Sequence, residues 1–125
     1  MMNFIDWFLN LFGLQRKIQA LSFDELQMLS EPRSSQWPKV RAKHLEKQPT
    51  CVVCGGKDYL QVHHIEPFHS NPTKELDENN LITLCDGKFR CHFLFGHLLS
   101  WRSYNPNVVE DTQLWHEKIK TRPSN

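Results

Sequence analysis

The 125-residue sequence has little net charge, few glycines and no long hydrophobic run. Its 15 Lys and Arg stand against 14 Asp and Glu, a formal charge of +1. That excludes a strongly polybasic or acidic protein, though not a local basic face. The most apolar stretch, Met1 to Leu14, is shorter than the about 20 residues that a membrane-spanning helix needs. It contains Asp6 and Asn10 and no early Lys or Arg, so it makes a poor signal peptide. There are no internal repeats and no low-complexity tract, which excludes a solenoid or a linker-like chain. The length allows one domain, or one domain with a helical extension, around a modest core. A mean hydropathy of −0.55 fits a soluble chain.

Within Met1 to Leu14, positions 4, 5, 8, 11 and 12 share one helical face. The expectation is a helix docked on its own domain or on a protein partner, rather than one lying in a membrane interface. With no export signal, the expected compartment is the reducing cytoplasm, where disulfides are rare.

Four Cys and seven His are the unusual count. Cys51-Val-Val-Cys54-Gly55-Gly56 is a Cys-x-x-Cys turn followed by glycines, and Cys85 and Cys91 form a second pair. Such a turn lets two thiolates face one ion, and four thiolates suit a closed tetrahedral structural zinc site. Redox chemistry is the rival. It wants the motif after a strand in a βαβ setting, whereas here a loop with Pro49 precedes it.

Ser22-Phe-Asp-Glu25 reads as a capping box opening a helix that runs to about Ser30 and ends at Pro32. Arg33 to Gln36 is a polar linker. Pro38 suits the first turn of a helix over Lys39 to Lys47, where Lys39, Arg41, Lys43 and Lys47 face one acid, Glu46. With Arg33 included, the stretch is the most basic in the chain, and it is either ordinarily solvated or turned to phosphate. Tyr59 to Ile65 and Leu81 to Leu84 read as strands, separated by a loop with Pro67 and Pro72 and by the turn residues Asn79-Asn80. His92 to Trp101 reads as a helix, Asn105-Pro106 breaks the chain, and Glu110 to Lys120 is a last helix packed through Leu114, Trp115 and Ile119. Phe89, Phe93, Phe95 and Trp101 are expected in the core rather than as platforms for bases. Glu66, His44, His69 and His116 are expected at the surface.

His63 and His64 are adjacent on a strand and so point to opposite faces. One can bind a metal while the other faces elsewhere. His92 follows Cys91 directly. A metal held by His63 and His92 keeps open positions for water and a phosphate oxygen, as a catalytic ion requires. His64, left unliganded, suits proton removal from water near neutral pH.

In this pattern the sequence resembles the HNH endonuclease family, in its zinc-containing ββα-metal, or His-Me finger, form. The resemblance spans about residues 37 to 97. It rests on Cys51-x-x-Cys54-Gly55, Val62-His63-His64-Ile65-x-Pro67, Asn80-Leu-Ile-Thr-Leu-Cys85 and Cys91-His92, with Trp37-x-x-Val40-Arg41 resembling the leader helix of such proteins. It implies an α+β fold: a small ββα-metal core stapled by four cysteines, with flanking N- and C-terminal helices. The implied division is a helical extension over 1–36, the nuclease domain over 37–104 and a packed C-terminal helix over 105–125.

By position, the resemblance makes His63 and His92 ligands of the catalytic ion, His64 the general base and Asn80 the residue that holds the loop and the base. Cys51, Cys54, Cys85 and Cys91 would hold structural Zn²⁺. The catalytic cation would be Mg²⁺, Mn²⁺, Ni²⁺ or Zn²⁺, the substrate DNA, and the reaction phosphodiester hydrolysis. Lys39, Arg41, Lys43 and Arg90 would contact the phosphate backbone. One feature departs from the pattern. Five residues, Asp86 to Arg90, separate the second cysteine pair, where two are usual. A third ligand sometimes follows the last His by four residues; here that position is Gly96, and His97, one further, is the candidate third ligand of the catalytic ion. A catalytically inactive zinc-stapled module that binds DNA or protein is the alternative reading.

Overall fold

The structure, a computed structural model, describes Ile5 and residues 32–125. The expected amphipathic segment (apart from Ile5) and the helix over 22–30 lie outside the described residues. Arg33–Asn125 forms one compact unit. No described helix is long and apolar enough to cross a membrane.

Helix α1, Trp37–Lys47, opens with Pro38 in its first turn, where the missing N–H costs nothing. A knuckle over 51–56 follows. Cys51 N–H donates to Gly56 O (2.8 Å) and Gly55 N–H to Cys51 O (2.9 Å). Gly55 sits at φ 73°, a left-handed value that a side chain would oppose. Strands β1, Leu60–His64, and β2, Leu81–Cys85, pair antiparallel with His63 opposite Ile82 and Leu60 opposite Cys85. A five-residue π-helical turn, His92–Gly96, comes next, then helix α2, Val108–Lys120. The order β, β, helical turn under a cysteine knuckle is the expected α+β, ββα-metal arrangement.

All five residues of β2 are buried. Its outer edge is closed by the chain leaving α1: Gln48 Oε1 accepts from Thr83 N–H (2.6 Å), and Thr83 Oγ donates to Gln48 O (2.8 Å). Val52 N–H donates to Thr83 O (3.0 Å). The core is Val53, Ile82, Leu84 and Val108 with Cys51, Cys85 and Cys91. So small a core needs a staple.

Several expectations are corrected. The stretch expected as one helix to Trp101 ends at Gly96, because Leu98 and Leu99 take left-handed φ of 52° and 65°. Helix α2 packs through Val108 and Thr112, with Ile119 partly buried, while Leu114 and Trp115 are exposed. The burying face is set by the 108, 112, 119 spacing rather than by residue size. Trp101 and Phe89 are exposed rather than core, at 55% and 60%. His44 is buried, with its ring Nε2 3.3 Å from Gln48 Oε1.

Candidate metal centres

Two clusters of metal-ligating side chains lie in this unit. In the first, the sulfurs of Cys51, Cys54, Cys85 and Cys91 all lie within 4.8 Å of one another. Three of these residues are buried, and none is in a disulfide. The knuckle supplies two sulfurs, the end of β2 the third and the residue before the π turn the fourth. The longer Asp86–Arg90 loop therefore still closes on the same point. A hydrogen bond from Cys91, and then the N–H groups of Cys54, Val53 and Cys85, draw the Cys51 thiol down to about 4 against the opposing effect of burial. The neighbouring Cys51 sulfur and burial push Cys91 up. Four crowded sulfurs cannot all ionise unaided, and a tetrahedral divalent ion resolves that conflict.

The second cluster is His63, His92 and His97, whose ligand atoms also lie within 4.8 Å of one another. His63 is on β1 and faces inward, at 5% exposure. His92 and His97 bracket the π turn. On an α-helix, residues five apart diverge by about 140° around the axis. The π turn, with its i→i+5 hydrogen bonding, brings them to one side, and their Nε2 atoms are 3.3 Å apart.

Hydrogen bonds set which nitrogen of His92 and of His97 faces the centre. His92 Nδ1 donates to Asp86 (3.1 Å), and His97 Nδ1 donates to the Ser103 carbonyl (2.8 Å). In the neutral form of each ring this leaves Nε2 as the lone-pair nitrogen, and the two Nε2 atoms face each other. His63 Nε2 is buried with no partner. Burial first, then the neighbouring His92, His97 and His64, lowers His63 to about 3, so it is a neutral ring with an unused acceptor. Converging lone pairs without a proton between them suit a cation. Gly96 makes room: a Cβ there would lie 2.9 Å from His63 Cε1.

His64 points the other way from His63. Its Nε2 donates to the Glu75 carbonyl (2.9 Å), which leaves Nδ1 as the acceptor, and its ring lies 4.6 Å from that of Trp37. Burial chiefly holds its pKa below the usual imidazole value, aided by the Arg33 charge. Buried Asn80 closes the loop between the strands. Its Oδ1 accepts from Glu66 N–H (2.8 Å), and its Nδ2 donates to Glu66 O (3.0 Å) and Lys74 O (3.2 Å). Asn80 thus ties Glu66, two residues after His64, to Lys74, the neighbour of His64's partner Glu75, and its hydrogen bonds do not reach the ring itself.

A cleft of about 430 Å³ brings His63, His64, His92 and His97 together with Arg33, Arg41, Trp101 and Tyr104. Of the four cations expected to meet phosphate, only Arg41 lines it. Lys39, Lys43 and Arg90 do not. Lys43 pairs with Glu78 at 3.0 Å, and the Arg90 guanidinium lies over Phe93. Arg33, counted with the basic stretch but not among the four expected contacts, is held firmly. Its Nε donates to buried Glu75 (2.8 Å), and its guanidinium lies 4.5 Å from the Phe68 ring centre and 5.4 Å from that of Trp37. Asp86, Ser103, Glu75 and Gly96 were not singled out for the site. Only Asp86, a carboxylate beside the cysteine pair, carried a sequence signal.

An inward strand histidine and a helical turn bearing two more, beside a cysteine staple, define a ββα-metal type of site. In agreement, residues 51–93 match the family model described as HNH endonuclease, about a third of the chain. Comparison with curated proteins and with solved structures returns no significant match in either.

Proposed function

We propose that the protein is a metal-dependent endonuclease that hydrolyses phosphodiester bonds in DNA. The observation that carries this reading is the pairing of three imidazoles with converging lone pairs and a fourth, His64, held beside them with its Nδ1 unprotonated. The family match over residues 51–93 supports it.

His63, His92 and His97 would hold one divalent cation of the Mg²⁺, Mn²⁺, Ni²⁺ or Zn²⁺ class. Bound there, it would supply positive charge to the phosphate and to the departing 3′ oxygen. His64 takes a proton from water at Nδ1, and its Nε2–H to Glu75 O keeps the ring in the needed tautomer. The water oxygen attacks phosphorus opposite the leaving oxygen. Asn80 positions the loop that carries the Glu75 carbonyl. Arg33 and Arg41 on the cleft wall grip phosphate oxygens, with the Arg33 fork preset by Glu75. The four cysteines would hold structural Zn²⁺.

The test is nicking of supercoiled plasmid with Mg²⁺, Mn²⁺ or Ni²⁺ against an EDTA control. Metal-dependent nicking that H64A abolishes, with folding intact, is the expected result. A gel shift without nicking under any ion would favour a binding module instead.

A further inference from the structure

The aromatic ring that touches the histidine cluster is not in the core. We propose that Trp101 is a stacking platform for an unpaired base next to the scissile phosphate, so that the protein prefers single-stranded or locally melted DNA to paired duplex. The proposal rests on the nuclease reading above and names the substrate class of that site.

Trp101 lies 4.8 Å from His97, 5.3 Å from His92 and 4.8 Å from Phe93, measured between ring centres. Even so, 55% of it is open to solvent. A single exposed aromatic needs no explanation. This one lines the same cleft as the four histidines and Arg33, with Tyr104 beside it. Its loop is also held in place. Leu99 N–H donates to Phe93 O (3.0 Å), Ser100 N–H to His97 O (3.0 Å) and Ser103 N–H to Ser100 O (2.9 Å). Leu98 and Leu99 both take left-handed φ, which bulky L residues rarely adopt, and both side chains remain largely exposed. Burial of these leucines does not offset that strain. It persists in a loop whose Ser103 carbonyl also orients His97, and such strain gathers at working sites.

The chemistry of the platform selects its ligand. A flat indole takes up the face of a base irrespective of sequence. In duplex DNA those faces are covered by the neighbouring bases, so only a base that has left the stack can reach the ring. Arg33 and the histidines address the backbone of the same nucleotide.

The experiment compares one oligonucleotide, single-stranded and fully paired, cleaved by the full chain with Mn²⁺. The wild type is expected to favour the single strand. W101A should lose about tenfold or more on it through KM, with a smaller change on the duplex, while W101F retains most activity because it keeps a ring. Equal cleavage of both substrates by the wild type, or an unchanged W101A, overturns the proposal and leaves the nuclease standing. Should W101A also weaken Mn²⁺ binding, W101F decides: it must retain the single-strand preference. A second readout needs no cleavage. With Mn²⁺ omitted and no chelator added, the single strand should quench tryptophan fluorescence, and W101F should lose that component although Trp7, Trp37 and Trp115 remain. Quenching without nicking under any ion would sink the nuclease reading and keep the platform; no Trp101-dependent quenching would sink the platform.

Discussion

The sulfur cluster and the imidazole cluster are built from neighbouring stretches of chain yet suit an ion for opposite ends. Four thiolates more than neutralise a divalent ion and fill a tetrahedral shell, so nothing remains for a substrate. Three neutral imidazoles leave the ion's charge undiminished and its shell unfilled, which is what a phosphate needs. The surroundings follow suit. Around the sulfurs lie Val53, Leu84 and Val108, whereas the imidazoles open on a cleft with Arg33 and Arg41. Ligand charge and access, rather than fold, separate the proposed stapling role from the proposed reacting one.

The contrast can be broken most sharply at the sulfurs. Replacing Cys51 or Cys85 with Ser should abolish cooperative folding, since structural zinc contributes on the order of 10 kcal/mol to such small domains. Circular dichroism and zinc stoichiometry would show it, and a well-folded, zinc-free C51S would erase the distinction between the clusters. Next comes H64A, which should cut nicking by roughly 100-fold or more with unchanged zinc content and thermal midpoint. A matching loss of stability would make His64 structural instead.

Smaller effects sharpen the imidazole side. D86N should weaken Mn²⁺ binding by about 10- to 100-fold through loss of the carboxylate that orients His92, measured by calorimetry, without touching the zinc. G96A should push a methyl against the His63 ring, costing about 1–3 kcal/mol of stability as an overpacking change. An unaltered melting curve would show that the ring moves freely. Smallest is L99G. It relieves about 1–2 kcal/mol of left-handed strain, partly cancelled by the greater freedom of glycine in the unfolded chain, so a slight rise in the melting midpoint is expected.

Where local pattern decides structure, the sequence was readable. The Cys-x-x-Cys-Gly knuckle, the period-two alternation that separates His63 from His64, and the strand around Leu81 to Leu84 follow from short-range rules. The π turn does not. A five-residue spacing looks wrong for one helical face until the backbone widens to admit it, so His97 could be singled out but its placement could not. Contacts across distant chain were equally hidden: Arg33 and Glu75 are 42 residues apart, and the carbonyls of Glu75 and Ser103 have no residue-type signature. Trp115 and Leu114 misled because helix α2 buries small Val108 and Thr112 and leaves its large side chains outside.

Cys91 and His92 are consecutive, one given to each cluster. The torsions on either side of a single peptide plane are therefore common property. A displacement of the sulfur at one end swings the ring at the other, so an ion held by the sulfurs would also align the imidazoles of the proposed cutting site. Under the proposed reading, loss of the ion at the sulfurs would undo the fold and the imidazole cluster together.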